Sequence, residues 1–220
     1  MPDCEVRDLG RISFSEAFAL QQELVSQRKA GLIPDQLLFL EHPHVITMGR
    51  NGHRENLLAS EEFLSQAGVE FVHTDRGGDV TYHGPGQLVV YPIFDLRDWK
   101  RDVVAYVRAL EQVVIDTLAE SAIYATRCEG CTGVWVGGAK ICAIGVHLSR
   151  WITSHGLALN IDTDLSYFRY IVPCGLTKPV TSMRQLGSNA SRELVMARMA
   201  NHFARVFERH AVAETLETLS

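Results

Sequence analysis

The pattern of hydrophobic and polar positions in the first half of the chain alternates between helical and extended periods. Ser13 followed by Glu16 is a capping-box pattern, which predicts a helix from this point to about Lys29, with Gly31 as its C-terminal signal. A second, shorter helix is expected within residues 60–68. Short apolar runs predict strands over residues 37–40, 45–48, 69–72 and 88–93.

The pattern of apolar and polar residues in the second half of the chain predicts two longer helices and a hairpin between them. Asp102 can cap the first of these helices, and the second covers about Ser191 to Arg209. Residues 133–136 and 141–146 predict a hairpin that turns at Gly137-Gly138, and residues 158–161 a further strand. The apolar positions at helical spacing are Val103, Val104, Val107, Leu110, Val114 and Leu118 in the first helix, and Leu194, Val195, Met199, Phe203, Val206 and Phe207 in the second.

Interleaved helices and strands with hairpin-like pairs predict an α/β fold, in which a mixed β-sheet is flanked by helices. Hydrophobic residues make up 46% of the 220 positions and charged residues 21%, which is ordinary for a globular protein with a sizeable core. The sequence shows no internal repeat, low-complexity tract or linker. We therefore expect residues 1–220 to form a single domain.

Composition also limits where the protein works and what it binds. The first eight residues are charged and lack the apolar core of a signal peptide, and no apolar run approaches the roughly 20 residues that span a bilayer. Five cysteines at irregular spacing do not indicate a disulfide framework. We expect a cytoplasmic protein with no membrane partner. The net charge of −5 argues against a general nucleic-acid surface.

The densest chemical signal is the stretch Arg76–Gln87, which contains four glycines and a proline. This composition predicts a long irregular loop, because glycine permits positive φ angles and lets a backbone approach a ligand closely. Long irregular segments in compact domains are often functional, so a binding role is favoured over a plain surface loop. The spacing fits neither a dinucleotide-binding fingerprint nor a P-loop.

Cys174 lies between Pro173 and Gly175, a context that favours presentation of a thiol at a tight turn. Backbone N–H groups at such a turn could stabilise an oxyanion. The alternative is that Cys174 is a small buried hydrophobic residue, as most free cysteines are.

Lys140 begins an apolar strand after Gly137-Gly138. Most lysines are solvated, but one at the start of a buried strand can point inward and favour a neighbouring thiolate. The segment 154–160 is a strand entry rich in small residues that could form the floor of an apolar slot.

Four segments, in this order, strongly resemble the octanoyl-acyl carrier protein:protein octanoyltransferases of lipoate synthesis. They are RGGDVTYHGPGQ, GVWVGGAKICAIG, HGLALNI and PCG, and the resemblance spans about Leu38 to Cys174. It implies the fold of the biotin/lipoate-protein ligase catalytic domain. The donor would be octanoyl-acyl carrier protein, the acceptors the lipoyl domains of 2-oxoacid dehydrogenases and the glycine cleavage H protein, and no cofactor would be needed.

Carried over by position, the resemblance assigns the acyl-thioester cysteine to Cys174 and its activating lysine to Lys140. Thioester exchange is nearly balanced in energy, so the implied reaction needs no ATP. His83 and His155 could orient the thioester or relay protons, although packing roles are favoured. The implied substrate pocket consists of Arg76, Gly77, Gly78, Asp79, Val80, Thr81, Tyr82, His83, Ala143, Ile144, Gly145, His155, Gly156, Leu157 and Ala158.

Three other functions stay open at this point. An ATP-dependent lipoate or biotin ligase would share the fold but needs no cysteine nucleophile. A cysteine hydrolase would pair its thiol with histidine rather than lysine. A scaffold that only binds acyl carrier or lipoyl domains would not depend on Cys174. Finally, Cys128-x-x-Cys131 resembles half of a zinc site or a redox pair, but no second pair completes four ligands.

Overall fold

The computed structural model describes residues 1–172 and 178–213 of the chain. Within these ranges it contains four α-helices and eleven strands. The helices are α1 (Phe14–Lys29), α2 (Glu61–Gln66), α3 (Val103–Ala119) and α4 (Arg192–Val206). The strands are β1 (Asp3–Arg11), β2 (Asp35–Glu41), β3 (Val45–Met48), β4 (Glu70–His73), β5 (Val80–His83), β6 (Gln87–Ile93), β7 (Thr126–Cys128), β8 (Cys131–Val136), β9 (Ala139–Ser149), β10 (Ile152–Asn160) and β11 (His210–Ala213).

The strands form two sheets. The large sheet has the order β11-β1-β2-β6-β10-β9-β8-β7, and the small sheet has the order β4-β3-β5. In the large sheet β1 is parallel to both β11 and β2, whereas the remaining neighbours are antiparallel. The predicted mixed sheet flanked by helices is confirmed.

The central strands of the large sheet are apolar on both faces. In β2, Leu37 and Phe39 pack in the core beneath α3 and α4, while Leu38 and Leu40 pack in a second core beneath α1. This period of two is the geometry of an extended chain whose successive side chains point to opposite faces. The sheet therefore lies between one helix on one side and two on the other.

Several local predictions are confirmed. Ser13 and Glu16 form a capping box at the start of α1. β8 and β9 form the expected hairpin, and Gly137 and Gly138 both take positive φ (56° and 83°) as its turn requires. Asp102 caps α3 through the backbone N–H of Ala105, at 3.0 Å.

We expected the glycine-rich stretch to be a long irregular loop, and this prediction is wrong for its centre. Residues Val80–His83 form β5, which pairs antiparallel with β3. The glycines flank this four-residue strand instead of interrupting it, so its backbone hydrogen bonds are intact. Strands β1, β7 and β11 were not predicted, because none of them is a continuous apolar run.

Two predictions about the longer helices also need correction: the burial of their first apolar residues and the end of α4. Val103, Val104 and Leu194 lie in the first turn of their helices and are exposed. α4 ends at Val206, since the chain turns through Glu208 at a φ of 54°. Arg209, expected to be helical, is instead buried and pairs with Asp35, with 2.7 Å between Nε and Oδ2. No helix in the described ranges has the length and apolar character needed to cross a membrane.

Candidate active site

A pocket of about 770 Å³, including its open mouth, lies on the α1 side of the large sheet beneath the Arg76–His83 segment. Strands β9 and β10 form its floor, and the first turn of α1 closes one side. It is lined by Phe14, Arg76, Gly77, Gly78, Val80, Thr81, His83, Gln87, Tyr91, Lys140, Ala143, Ile144, Gly145, His155, Gly156, Leu157, Ala158, Asn160, Phe168 and Val180.

Small residues on adjacent strands make room for this pocket. Ala143 lies opposite Ala158 and Gly145 lies opposite Gly156 in the β9–β10 ladder, so the four share one face of the sheet. A Cβ on Gly145 would come within 2.9 Å of the Gly77 carbonyl oxygen. Glycine at this position therefore allows the covering segment to approach the sheet closely.

The covering segment is held in place by a buried arginine. The guanidinium of Arg76 donates to the Thr47 carbonyl oxygen at 2.6 Å, and to its hydroxyl from Nη2 at 2.9 Å. Arg50 N–H in turn donates to the Arg76 carbonyl oxygen at 3.0 Å. Gly49 has no room for a side chain, since its Cβ would lie 2.4 Å from the Gly78 carbonyl oxygen. Arg76 thus fastens the pocket roof to β3.

His83 is held in one tautomer by a chain of amides. Gln87 donates through Nε2 to the Tyr82 carbonyl oxygen (3.2 Å) and to Asn160 Oδ1 (3.0 Å), so its Oε1 faces His83 Nδ1 at 2.7 Å. Nδ1 must therefore carry the proton, and Nε2 is left as an acceptor. Burial lowers the pKa of His83 to about 3, so the ring is neutral near pH 7.

The amide chain continues to the backbone of Lys140. Asn160 Nδ2 donates to the Thr181 carbonyl oxygen at 3.0 Å, and Thr181 N–H donates to the Lys140 carbonyl oxygen at 2.9 Å. The position of the His83 ring is thereby coupled to that of the strand that carries Lys140.

His155 occupies a strained position at the edge of the pocket. Its φ is 54°, uncommon for a residue other than glycine, and its N–H donates to Gln21 Oε1 at 2.7 Å. Its Nε2 lies 2.6 Å from Asp75 Oδ1, and this hydrogen bond is the main reason that the pKa of Asp75 is lowered. Backbone strain of this kind is often found at functional sites.

Tyr91, which lines the pocket, is hydrogen-bonded to His42. His42 Nδ1 lies 2.8 Å from the Ile12 carbonyl oxygen and must donate to it, so His42 Nε2 accepts from the Tyr91 hydroxyl, also at 2.8 Å. Burial lowers the pKa of His42 to about 4. The pair fixes the orientation of the Tyr91 ring on the α1 face.

Lys140 is buried, with 8% of its surface exposed, so it is not a solvated surface lysine. Its N–H donates to the Pro179 carbonyl oxygen at 2.8 Å, and its Nζ lies 4.9 Å from the centre of the Trp135 ring. Lys140 also lines a second, wider cleft, which shares Gly77 and Gly78 with the inner pocket. It therefore lies at the junction of an inner pocket and an outer cleft.

Two of the predicted pocket residues lie outside the inner pocket. Tyr82 points to the opposite side of β5, where its hydroxyl lies 2.8 Å from His44 Nδ1 and its ring stacks on Tyr167. Asp79 lines the outer cleft and accepts from His53 N–H at 3.0 Å and from the side chain of Asn56. The structure brings the other thirteen together around the inner pocket.

Cys174 lies outside the described residues, so its distance from Lys140 stays untested. The described chain on both sides of it reaches the site, since Phe168 and Val180 line the inner pocket. Val180 also forms a parallel bridge with Lys140.

Six further lining residues were not among the predicted site residues: Phe14, Gln87, Tyr91, Asn160, Phe168 and Val180. Gln87 was visible as a polar residue at the end of the glycine-rich stretch. Tyr91 alternates with core residues on β6 and could be placed only once the sheet order was known. Phe168 and Val180 come from segments with no periodic pattern.

The structure also bears on metal binding. Within residues 1–172 and 178–213, no cluster of three or more His, Cys, Asp or Glu side chains could hold a metal ion. Cys128 and Cys131 lie opposite each other at the end of the β7–β8 hairpin, beside Lys178.

Comparison with known proteins places the chain among lipoate-related enzymes. A family model described as the lipoyl protein ligase A/B catalytic domain matches residues 13–204. An octanoyltransferase of Solibacter usitatus is 65% identical over 94% of both chains, and one of Koribacter versatilis is 52% identical over 94% of this chain and 86% of its own. A putative lipoate protein ligase of T. acidophilum with bound lipoic acid has the same fold, with a TM-score of 0.80 and 13% identity over 98% of this chain and 90% of its own.

Proposed function

Since the chain belongs to the lipoyl protein ligase A/B catalytic-domain family, we propose that it transfers an octanoyl group from octanoyl-acyl carrier protein to a lysine of lipoyl domains. The names of its relatives support octanoyl transfer in lipoate biosynthesis. The observation that carries the proposal is a pocket with an apolar floor of Ala and Gly and a buried lysine at its mouth.

The pocket suits an acyl chain better than a polar ligand. Ala143, Ala158 and the neighbouring glycines present no hydrogen-bonding side chain, and Phe14 and Tyr91 add aromatic walls. Each methylene buried there contributes about 0.8 kcal/mol to binding. The neutral ring of His83 avoids placing a charge beside the chain.

In the first half-reaction, the Cys174 thiolate attacks the carbonyl carbon of the octanoyl thioester. The ammonium group of Lys140 stabilises this thiolate, and backbone N–H groups hold the developing oxyanion. The bond between the acyl carbon and the carrier sulfur breaks, and Lys140 gives its proton to the departing thiolate. The products are an octanoyl-Cys174 thioester and the free carrier thiol.

In the second half-reaction, the amine of a lipoyl-domain lysine attacks the octanoyl-Cys174 thioester. The C–S bond breaks, Cys174 leaves as the thiolate, and the surplus proton of the amine goes to Lys140, which is thereby restored. An amide replaces a thioester, so the step is downhill without ATP. The outer cleft beside Lys140 would give both the acyl carrier protein and the lipoyl domain access to the sulfur of Cys174 and the acyl group bound to it.

His83 and His155 would act by position and not by proton transfer. With Nδ1 bound to Gln87 and a pKa near 3, His83 can accept a hydrogen bond but cannot serve as an acid near pH 7. His155 is fixed by Asp75 and Gln21.

The acceptors we propose are the lipoyl domains of 2-oxoacid dehydrogenases and the glycine cleavage H protein. The four described cysteines Cys4, Cys128, Cys131 and Cys142 are free thiols, which suits the reducing cytoplasm. We propose no nucleic-acid or membrane partner.

Intact mass spectrometry after incubation with octanoyl-acyl carrier protein, without ATP, tests the proposal. We expect an octanoyl adduct that hydroxylamine removes and that passes to an added lipoyl domain. Cys174→Ser should give no adduct, and Cys142→Ser is the matched control that should retain it.

Other outcomes would support the rival functions and overturn this one. Transfer that appears only with ATP would indicate a ligase. An adduct that water removes rapidly without an acceptor would indicate a hydrolase. Unchanged lipoylation by Cys174→Ser would indicate that the protein does not act through an octanoyl-Cys174 thioester.

A further inference from the structure

Two thiols and an amine meet at the end of the β7–β8 hairpin. Cys128 and Cys131 are paired directly across a two-residue turn, in which Gly130 takes a φ of 70°. Lys178 Nζ lies 3.2 Å from Cys128 Sγ and 3.6 Å from Cys131 Sγ. Lys178 lies 50 residues beyond Cys128 in the sequence, so the fold assembles this group.

This environment differs from that of the other described cysteines. Cys4 and Cys142 are buried in the core beneath α3 and α4, and burial raises the pKa of Cys142 to about 12. Cys128 and Cys131 are partly exposed. Hydrogen bonds from Cys131 and from Lys178 lower the pKa of the Cys128 thiol. Because the thiolate is the reactive form, Cys128 should be the most reactive of the four cysteines that the structure describes.

The backbone also suits a disulfide between the two residues. Directly opposed residues of antiparallel strands have Cα atoms about 4.5–5.5 Å apart, within the roughly 4.4–6.8 Å that a disulfide spans. The cross-strand pairing of Cys128 with Cys131, although it follows a register shift after Arg127, therefore suits a disulfide.

We propose that Cys128, Cys131 and Lys178 form a peroxide-reactive thiol site, with Cys128 as the attacking and Cys131 as the resolving cysteine. The Cys128 thiolate attacks one peroxide oxygen, the O–O bond breaks, and with one proton the products are a sulfenic acid and water. The Cys131 thiol then attacks the Cys128 sulfur, and a second water leaves. Two thiols are oxidised to one disulfide and one peroxide is reduced to two waters.

The site lies beside the outer cleft. Lys178 Nζ and Lys140 Nζ lie over the same Trp135 ring, at 5.0 Å and 4.9 Å from its centre, and Cys131 lines the cleft together with Lys140. Oxidation to a disulfide removes the Cys128 thiol that Lys178 contacts and so changes the surroundings of Lys140. The proposal itself does not depend on acyl transfer, so its failure and that of the proposed function are distinguishable.

The test uses full-length Cys174→Ser protein, which removes the proposed nucleophile from the measurement. After limited hydrogen peroxide, we expect a mass loss of about 2 Da, a Cys128–Cys131 crosslink in the peptide map, and recovery with dithiothreitol. In a Cys131→Ser background the reaction should stop at a sulfenic acid on Cys128, which dimedone traps.

The role of Lys178 is tested by rate. Lys178→Gln should slow Cys128 oxidation roughly three- to tenfold, Lys178→Arg should slow it less, and Lys100→Gln should leave it unchanged. Circular dichroism checks that each variant is folded. Oxidation of Cys4 or Cys142 as fast as that of Cys128, or an unchanged rate in Lys178→Gln, would overturn the proposal.

Discussion

The two faces of the large sheet at β10 differ in what the same strand presents. Leu159 points toward α3 and α4 and is fully buried in the main core, opposite Cys142. Ala158, the next residue back, points toward α1 and faces the pocket opposite Ala143. One face is filled by large side chains beneath two helices, and the other is kept open by small ones beneath a glycine-rich cover.

This difference shows how a packed sheet can also form the floor of a pocket. Because side chains alternate along a strand, residue size can be set independently on each face. Changes on the pocket face should therefore alter chemistry with little effect on stability. Changes on the packed face should do the opposite.

The largest effect is expected at the mouth of the pocket. Lys140→Met keeps a long unbranched side chain but removes its amine, and should lower the rate of octanoyl transfer by roughly 10²–10⁴-fold. Steady-state assays with octanoyl-acyl carrier protein measure this, and exposed Lys100→Met is the control. A variant within threefold of the wild-type rate would exclude Lys140 from the reaction.

On the packed face, Leu159→Ala should lower the free energy of unfolding by about 2–5 kcal/mol, because it leaves a cavity in the main core. Urea unfolding measures the loss. Below the transition, the variant should keep the chain-length preference of the wild type. A change in that preference with little loss of stability would contradict the division between the faces.

Acid should act on the pocket side, where His42 and His83 are buried. Their pKa values are lowered to about 4 and about 3, mainly by desolvation, whereas both are near 6.5 in the unfolded chain. Below about pH 6.5 the unfolded state binds protons that the folded state does not, so stability is lost as pH falls from about 6.5 toward 4.

The expected loss is up to about 1.4 kcal/mol per pH unit for each histidine. Urea unfolding at pH 7.0 and pH 5.5 measures this slope. His42→Gln should reduce the slope of stability against pH. His73→Gln, at an exposed position, is the control and should leave that slope unchanged. If His42→Gln kept the full slope, burial of His42 would not be its source.

The smallest expected effect concerns the helix that covers the pocket face. Ser13 accepts from Glu16 N–H at 3.3 Å at the start of α1, so Ser13→Ala should cost about 1 kcal/mol of stability. Thermal unfolding checks this against Ser26→Ala, an exposed position later in the same helix. Equal melting temperatures would mean that the cap adds nothing measurable.

Local chemistry accounts for what could be predicted of the fold. The Ser13 cap, the Asp102 cap and the Gly137-Gly138 turn are each determined by neighbouring residues, and each is found where it was expected. β11 pairs with β1 across about 200 residues, and no local signal encodes that pairing. Tertiary pairing, unlike capping, leaves little trace in a single sequence.

The candidate site shows the same contrast between residues that a local pattern identifies and residues that only tertiary pairing brings together. Arg76–His83 and residues 143–145 were found through their resemblance to a family, and the structure brings most of them together. Tyr82 does not line the inner pocket, because the glycine-rich segment contains a strand and its side chain contacts His44 and Tyr167 instead. Val180 could not be assigned from sequence, because only its bridge with Lys140 brings it to the pocket.

The most direct test of the two-face account is acyl chain length. Ala143 is partly exposed on the pocket floor, so Ala143→Leu should shorten the space for the chain without overfilling the core, whereas Ala139→Leu, outside the pocket, should not. Adduct formation is measured with butyryl-, hexanoyl- and octanoyl-acyl carrier protein. The account predicts that Ala143→Leu loses the octanoyl adduct by roughly tenfold or more and retains a shorter one. An unchanged preference for octanoyl would contradict it.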